Sequence, residues 1–186
     1  MTAHLKRKQF FAAAFVMFCG WGLGSGPEAS AVRLEAGLDY PTVLGSMSQN
    51  FSSNLGGATS FYLEPLFDPR INNFISIQYA SFTVLADQKT SYRVIPVLAA
   101  IELPGRVFSD LQTTVAFGVG GAFAYLNIAN AASMRGYGFF AAQIKPGVLW
   151  DVSPDFSLYA RTPVTFLVGS KSLNYLAYSV GAQIKL

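Results

Sequence analysis

The side chains in this 186-residue sequence with the means to do chemistry are few and ordered along the chain: Glu35, Asp39, Glu64 and Glu102 come early, and Gln143, Lys145, Arg161 and Lys185 come late. Two carboxylates such as Glu35 and Glu64 are the equipment of general acid/base catalysis. Carboxylates answered by lysine and arginine are the equipment of a buried ion-pair core, the better explanation for acids on early strands and bases on late ones. The only histidine, His4, and the only cysteine, Cys19, fall within the first 31 residues. The rest of the chain therefore lacks the imidazole that Ser-His-acid hydrolysis requires and the usual zinc ligands. No Asp-x-Asp-x-Asp-Gly loop offers a calcium site, and Gly118-Val119-Gly120-Gly121 lacks the spacing and helix of a phosphate loop. No catalytic residue, metal or cofactor is expected.

The beginning of the chain reads as an export signal. Lys6, Arg7 and Lys8 precede a run of apolar and small residues from Phe10 to Gly24, and Ala29-Ser30-Ala31 supplies an A-x-A site. Glycines dilute the run below the roughly 20 apolar residues of a spanning helix, and bulky Phe18 before Cys19 argues against lipidation. Cleavage after Ala31 divides the chain into a signal peptide, 1–31, and a mature domain, 32–186, of 186 − 31 = 155 residues. The mature part keeps 13 − 3 = 10 bases and 10 − 1 = 9 acids, a net charge of +1 that leaves no electrostatic footprint for nucleic acid. Hydrophobic residues make up 52% of the chain and charged residues 12%, half the usual charged share. No mature stretch approaches an apolar 20-mer, so a membrane location requires a closed barrel, the other structure that satisfies every backbone group in lipid.

Period-two alternation supplies the strands. Leu176, Tyr178, Val180, Ala182, Ile184 and Leu186 alternate with Ser179, Gly181, Gln183 and Lys185. Similar patterns cover 156–168, 140–151, 114–125, 74–84, 58–67 and 33–40, and the segment 92–103 is apolar on both faces. That makes eight, an even number, each about 8 to 14 residues long, enough to cross a bilayer when tilted. Compact Pro/Asp connections at 68–73, 104–110 and 151–155 alternate with connections at 41–56, 86–91, 127–137 and 169–172 that lack the Pro-Asp combination. The fold expected is an all-β, eight-stranded antiparallel up-and-down transmembrane β-barrel, with the compact turns in the periplasm and the other loops outside.

At the level of pattern the mature chain resembles the small outer-membrane barrels of the outer-membrane protein A and X type. Gly147 to Leu158 looks like their strand, tight turn and strand, and Gly181 to Leu186 looks like their C-terminal assembly signal, with Leu186 in place of the usual Phe. The resemblance implies location in a bacterial outer membrane, contact with its lipid and recognition by the barrel-assembly machinery. The oligomeric state is open.

With the apolar faces turned to lipid, Glu35, Asp39, Glu64, Glu102, Gln143, Lys145, Arg161 and Lys185 point inward. Closure sets the last strand beside the first, so Lys185 is expected to approach Glu35, and Arg161 and Lys145 to reach Glu64 or Asp39 across a narrow lumen. The expected network is Glu35, Asp39, Glu64, Lys145, Arg161 and Lys185. The bare inner side formed by Gly118, Gly120, Ala122 and Ala124 is expected to receive Tyr62, Tyr159 or Phe139. The outer loops carry Lys89, Arg93, Arg135 and Lys171 against Asp87, a set suited to lipopolysaccharide phosphates. The expected function is non-enzymatic, structural or surface-interacting, with loops 41–56 and 127–137 as contact surfaces. Two alternatives stand beside it: a narrow solute channel, and a periplasmic lipocalin-like barrel with its apolar face inward.

Overall fold

A computed structural model describes residues 32–66, 68, 70–86, 90–127, 135–169 and 173–186. The expected signal peptide, and with it the site after Ala31, lies outside them. Strands β1 (Arg33–Val43), β2 (Gly56–Leu63), β3 (Asn72–Val84), β4 (Ser91–Arg106), β5 (Leu111–Asn127) and β6 (Arg135–Ser153) follow one another, each antiparallel to the last. Strand β7 comes in two pieces, Phe156–Arg161 and Val164–Val168, and β8 is Asn174–Lys185. Pairing of β8 with β1 closes the sheet, from Arg33 opposite Lys185 to Val43 opposite Tyr175.

The register fixes the geometry of the closed sheet. From Arg33 the partners run Tyr62, Phe74, Ala100, Gly118, Gln143, Thr165 and Tyr175, and return to β1 at Val43, a shift of 43 − 33 = 10 residues. With eight strands, that stagger tilts the strands by about 40° and gives a backbone radius of roughly 8 Å. Such a lumen holds side chains and little else.

The alternation sorts the two faces as expected. Leu38, Tyr40, Phe117, Val119, Phe123, Phe140, Trp150, Phe166, Tyr178 and Val180 are exposed on the outer wall, while Glu35, Gln143, Lys145 and Arg161 are buried within. An outer wall this apolar excludes the lipocalin-like arrangement, which needs a polar outside. In β4, whose two faces look alike in sequence, the even-numbered residues Val94, Leu98 and Glu102 point inward.

Several boundaries depart from the sequence reading. Strand β2 ends at Leu63, so Glu64 lies beyond it and is exposed. Strand β4 continues through Pro104 to Arg106, because pairing with Gln112, Thr113 and Thr114 of β5 overrides the local turn preference. The first loop carries order of its own. Gly45, with φ of 78°, turns the chain out of β1 into a 3-10 helix, Gly45–Asn50, and the short strand Phe51–Ser53 then pairs with Phe82–Val84 of β3. The break in β7 falls at Thr162-Pro163, where proline has no N–H to give the ladder. Among the described residues no helix is long and apolar enough to cross a membrane.

Candidate functional site: the barrel interior and its loop-end rim

The polar core sits in the half of the lumen nearer the turns. Tight strand pairing aims Glu35 of β1, Glu102 of β4, Lys145 of β6 and Arg161 of β7 at one another, all at most 2% exposed. Lys145 Nζ donates to Glu35 Oε1 at 3.0 Å. Arg161 donates through Nη1 to Glu35 Oε1 at 3.2 Å, and its Nη2 lies 2.9 Å from both Glu35 Oε2 and Glu102 Oε1. Ser60 and Tyr62 of β2 donate hydroxyl hydrogens to the two Glu35 oxygens at 3.3 and 3.0 Å. Asn72 extends the chain to the mouth, donating to Glu102 Oε2 at 3.2 Å and accepting from Arg33 at 2.6 Å. Arg33 also stands over the Tyr62 ring, 4.8 Å from its centre.

Two glycine positions make room for this core. A side chain at Gly147, directly opposite Arg161 on β6, would collide with the Arg161 stem, so glycine lets that stem cross the wall toward Glu35. Gly37 and Gly181 face each other across β1 and β8, and a Cβ at either would meet the Tyr159 hydroxyl. Tyr159 lies along this bare strip with its ring under the Arg161 guanidinium at 4.9 Å.

The expected network members are thus not all brought together. Glu35, Lys145 and Arg161 meet, with Glu102 as a second acid shared by Arg161. Asp39 is buried but lies two inward positions farther along β1, opposite Ser179. Lys185 is exposed at the turn-end mouth beside Arg33, and Gln183 is the residue opposite Glu35. Glu64 is exposed past the end of its strand. The expected pairings therefore change: Lys145 and Arg161 find Glu35 rather than Glu64 or Asp39, because the shear carries each strand's inward row upward around the barrel. Tyr62 and Asn72 entered no expectation as acid partners. The inward parity of Tyr62 was legible, Asn72 fell in the expected turn 68–73 although the strand begins with it, and which acid either would meet depended on register.

Above the ion pairs a band of neutral polar groups crosses the lumen. Gln78 of β3 and Gln143 of β6 exchange amide hydrogen bonds at 3.0 and 2.9 Å, and Gln143 donates to Thr165 at 2.7 Å. Nearer the loops the interior turns apolar. Phe82, Val94, Leu98, Ala122, Ala124, Phe139, Leu167 and Tyr175 form one buried cluster, with Phe82 and Tyr175 edge to face at 5.6 Å. Phe139 packs in the same cluster as the small residues of β5, and at Gly118 a Cβ would meet Leu98 and Ala100 at ordinary or slightly tight distance. Tyr62, also expected on that wall, stacks on Phe74 at 4.9 Å instead. The aromatic rings of Phe51, Tyr92 and Tyr137 cap the cluster toward the loops.

At the loop-end rim Arg93 is exposed on the outer face, opposite Tyr125 of β5 and Ser81 of β3. Lys89 and Lys171 lie outside the described residues, as does the Arg135 side chain. At the opposite end the exposed Asp68 carboxyl accepts from the Arg70 guanidinium at 2.9 and 3.1 Å and from the Arg70 backbone N–H at 2.9 Å. Those hydrogen bonds stabilise its charged form and hold its pKa below the ordinary aspartate range.

Among the described residues no cluster of three or more Asp, Glu, His or Cys is arranged to hold a metal. No family model and no curated protein matches the sequence. Solved structures do match. Neisserial surface protein A superposes with a TM-score of 0.64 at 12% identity, over 83% of this chain and 97% of that one. A major outer membrane protein of Thermus thermophilus gives 0.61 at 11% identity, over 86% and 100%. Ail, the attachment invasion locus protein of Yersinia pestis, gives 0.56 at 11% identity over 86% and 100%, and its complex with the heparin analogue sucrose octasulfate gives 0.51 at 11% identity over 84% and 99%. With its closed eight-stranded sheet, its apolar outer wall and these likenesses, the chain has the fold of the small eight-stranded β-barrels of bacterial outer membranes.

Proposed function

We propose that this barrel is an exported, non-enzymatic protein whose work is structural and surface-interacting. The observation that carries this reading is the filled interior. The turn half is bridged by the Glu35–Arg161–Glu102 and Glu35–Lys145 pairs, and the loop half is packed by Phe82, Phe139, Leu167 and Tyr175. A solute would have to break buried ion pairs and displace an aromatic plug, so the narrow-channel alternative has no path to use. What is left to meet a partner is the rim. The signal peptide is removed after Ala31, the assembly machinery inserts the barrel with its compact turns in the periplasm, and the loops face outward.

The first loop supplies the contact surface, since its 3-10 helix Gly45–Asn50 is exposed throughout and carries Ser46, Met47, Ser48, Gln49 and Asn50. Arg93 at the rim, beside Tyr125, suits the phosphates of lipopolysaccharide, with Lys89, Arg135 and Lys171 as further bases on the same end. The complex of Ail with the heparin analogue sucrose octasulfate supports polyanion contact as chemistry available to the fold. The test is adhesion or ligand capture by cells displaying the barrel with and without residues 46–50. Loss of binding with an unchanged heat-dependent gel shift supports the surface role, and full binding by the shortened barrel removes that loop from it. Lipopolysaccharide contact is read separately: Arg93→Ala should reduce the stabilisation that added lipopolysaccharide gives the refolded barrel, and an unchanged response excludes Arg93.

A further inference from the structure

The charges enclosed by the barrel do not balance. Glu35, Asp39, Glu102, Lys145 and Arg161 are each at most 4% exposed, three acids against two bases. Arg33 and Asp151 also turn inward at the turn-end mouth, half-buried and one of each sign, so the difference stands among the described side chains. Glu35 and Glu102 occupy both bases. Asp39 is left over: none of the ion pairs includes it, and its Oδ1 has no hydrogen-bond partner. Transferring a lone carboxylate into such an interior is strongly unfavourable, and proteins do not leave it uncompensated.

The surroundings of Asp39 offer oxygen rather than nitrogen. Ser179 lies directly across on β8, and its hydroxyl stands between the Asp39 carboxyl and the Tyr159 hydroxyl. Tyr159 Oη rests over Gly37, the next inward position of β1. Glu35 on the same strand, Lys145 from β6 and Tyr175 from β8 complete the charged and titratable groups that face it, and Lys145 is engaged by Glu35. Carboxylate and hydroxyl oxygens are the donors that hard cations take.

We infer that the barrel interior takes up one small monovalent cation from solvent against Asp39, beside Ser179 and Tyr159. A sodium-like ion and a proton supply the same charge, and the experiment separates them. The mature protein, folded in zwitterionic detergent, is melted in sodium and in N-methylglucammonium buffers of matched ionic strength, at slightly acid and slightly alkaline pH. The folded state binds the cation and the unfolded chain does not, so the wild-type midpoint should move by about 3 °C or more with one of these variables. Dependence on sodium at fixed pH assigns the metal ion, and a higher midpoint at acid pH without sodium dependence assigns the proton.

Asp39→Asn should lose whichever dependence the wild type shows. Ser179→Lys, which sets an ammonium directly across from Asp39, should lose it as well, and it decides the matter if the first variant fails to fold. A wild-type midpoint indifferent to both variables, or one that responds just as the variants do, overturns the inference.

Discussion

At the scale of single residues, the barrel concentrates its electrostatic risk in one carboxylate. Glu35 receives Lys145, Arg161, Ser60 and Tyr62, so its two oxygens satisfy two buried bases at once. Replacing such a pair wholesale by apolar groups is often harmless, but removing one partner strands the others. Glu35→Gln should therefore lower unfolding stability in micelles by about 3–5 kcal/mol. A loss well under 1 kcal/mol would show that water already compensates the bases. The bare strip under Tyr159 predicts a second effect. Gly181→Ala sets a methyl against the Ala36 carbonyl and the Tyr159 hydroxyl, and overpacking of this kind costs about 1–3 kcal/mol. Asp68 is the contrast. Its partner Arg70 is in solvent, where pairing contributes little. An NMR titration should find the Asp68 carboxyl below the ordinary aspartate range, its small contribution being present above the unfolded value and lost as pH falls through the folded one. Asp68→Asn should leave the unfolding midpoint at neutral pH unmoved.

At the scale of strands, the alternation divides each element between two solvents. Phe117 of β5 faces lipid and its neighbour Ala116 is buried in the lumen beside Tyr62 and Phe74. A charge on the lipid face near the membrane midplane costs about 2–4 kcal/mol. Phe117→Arg should lose that much in folding assays with lipid vesicles, and an unperturbed variant would place β5 outside the hydrocarbon. Prolines mark where the ladder is locally interrupted. The β3–β4 register skips Gln78 and Tyr79 opposite Pro96 and Ile95, and β6–β7 pairing skips Pro146 and Pro163. Two shallow grooves on the outer wall, of about 470 and 420 Å³, lie at these interruptions. The first is lined mainly by apolar and small residues such as Ala58, Ile77 and Ile95, and the second reaches Arg161 and Ser179 between Val148, Ala160 and Val180.

At the scale of the whole molecule, closure makes the barrel one cooperative unit: β1 pairs with both β2 and β8, so each of the eight barrel strands is paired on both sides. A fold so closed resists detergent until heated. Unboiled protein from washed membranes should migrate differently on denaturing gels from boiled protein, whereas identical mobility would mean that the sheet is open. The filled lumen yields the companion expectation. Planar bilayers containing the protein should show no unitary conductance, and reproducible steps would mean that the plug around Phe82 and Tyr175 moves.

The amino-acid order by itself determined the number of strands, the lipid-facing side of seven of them and most of the acids and bases buried between them, Glu64 and Lys185 being the inward assignments that prove exposed, because side chains in a strand alternate with period two and lipid and lumen demand opposite chemistries. It left three things to the tertiary structure. The inward side of β4 was ambiguous because Val94, Ile95, Val97 and Leu98 are apolar on both faces, one row meeting lipid and the other the plug. The partition of the lumen into an ionic half and an apolar half needed the height of each residue, which local pattern does not encode. The choice of partners was decided by the ten-residue stagger, which lifts successive rows around the barrel. That stagger carries Lys145 and Arg161 to Glu35, leaves Lys185 at the mouth, and strands Asp39 among hydroxyls. Register is a property of closure, so no single strand contains it.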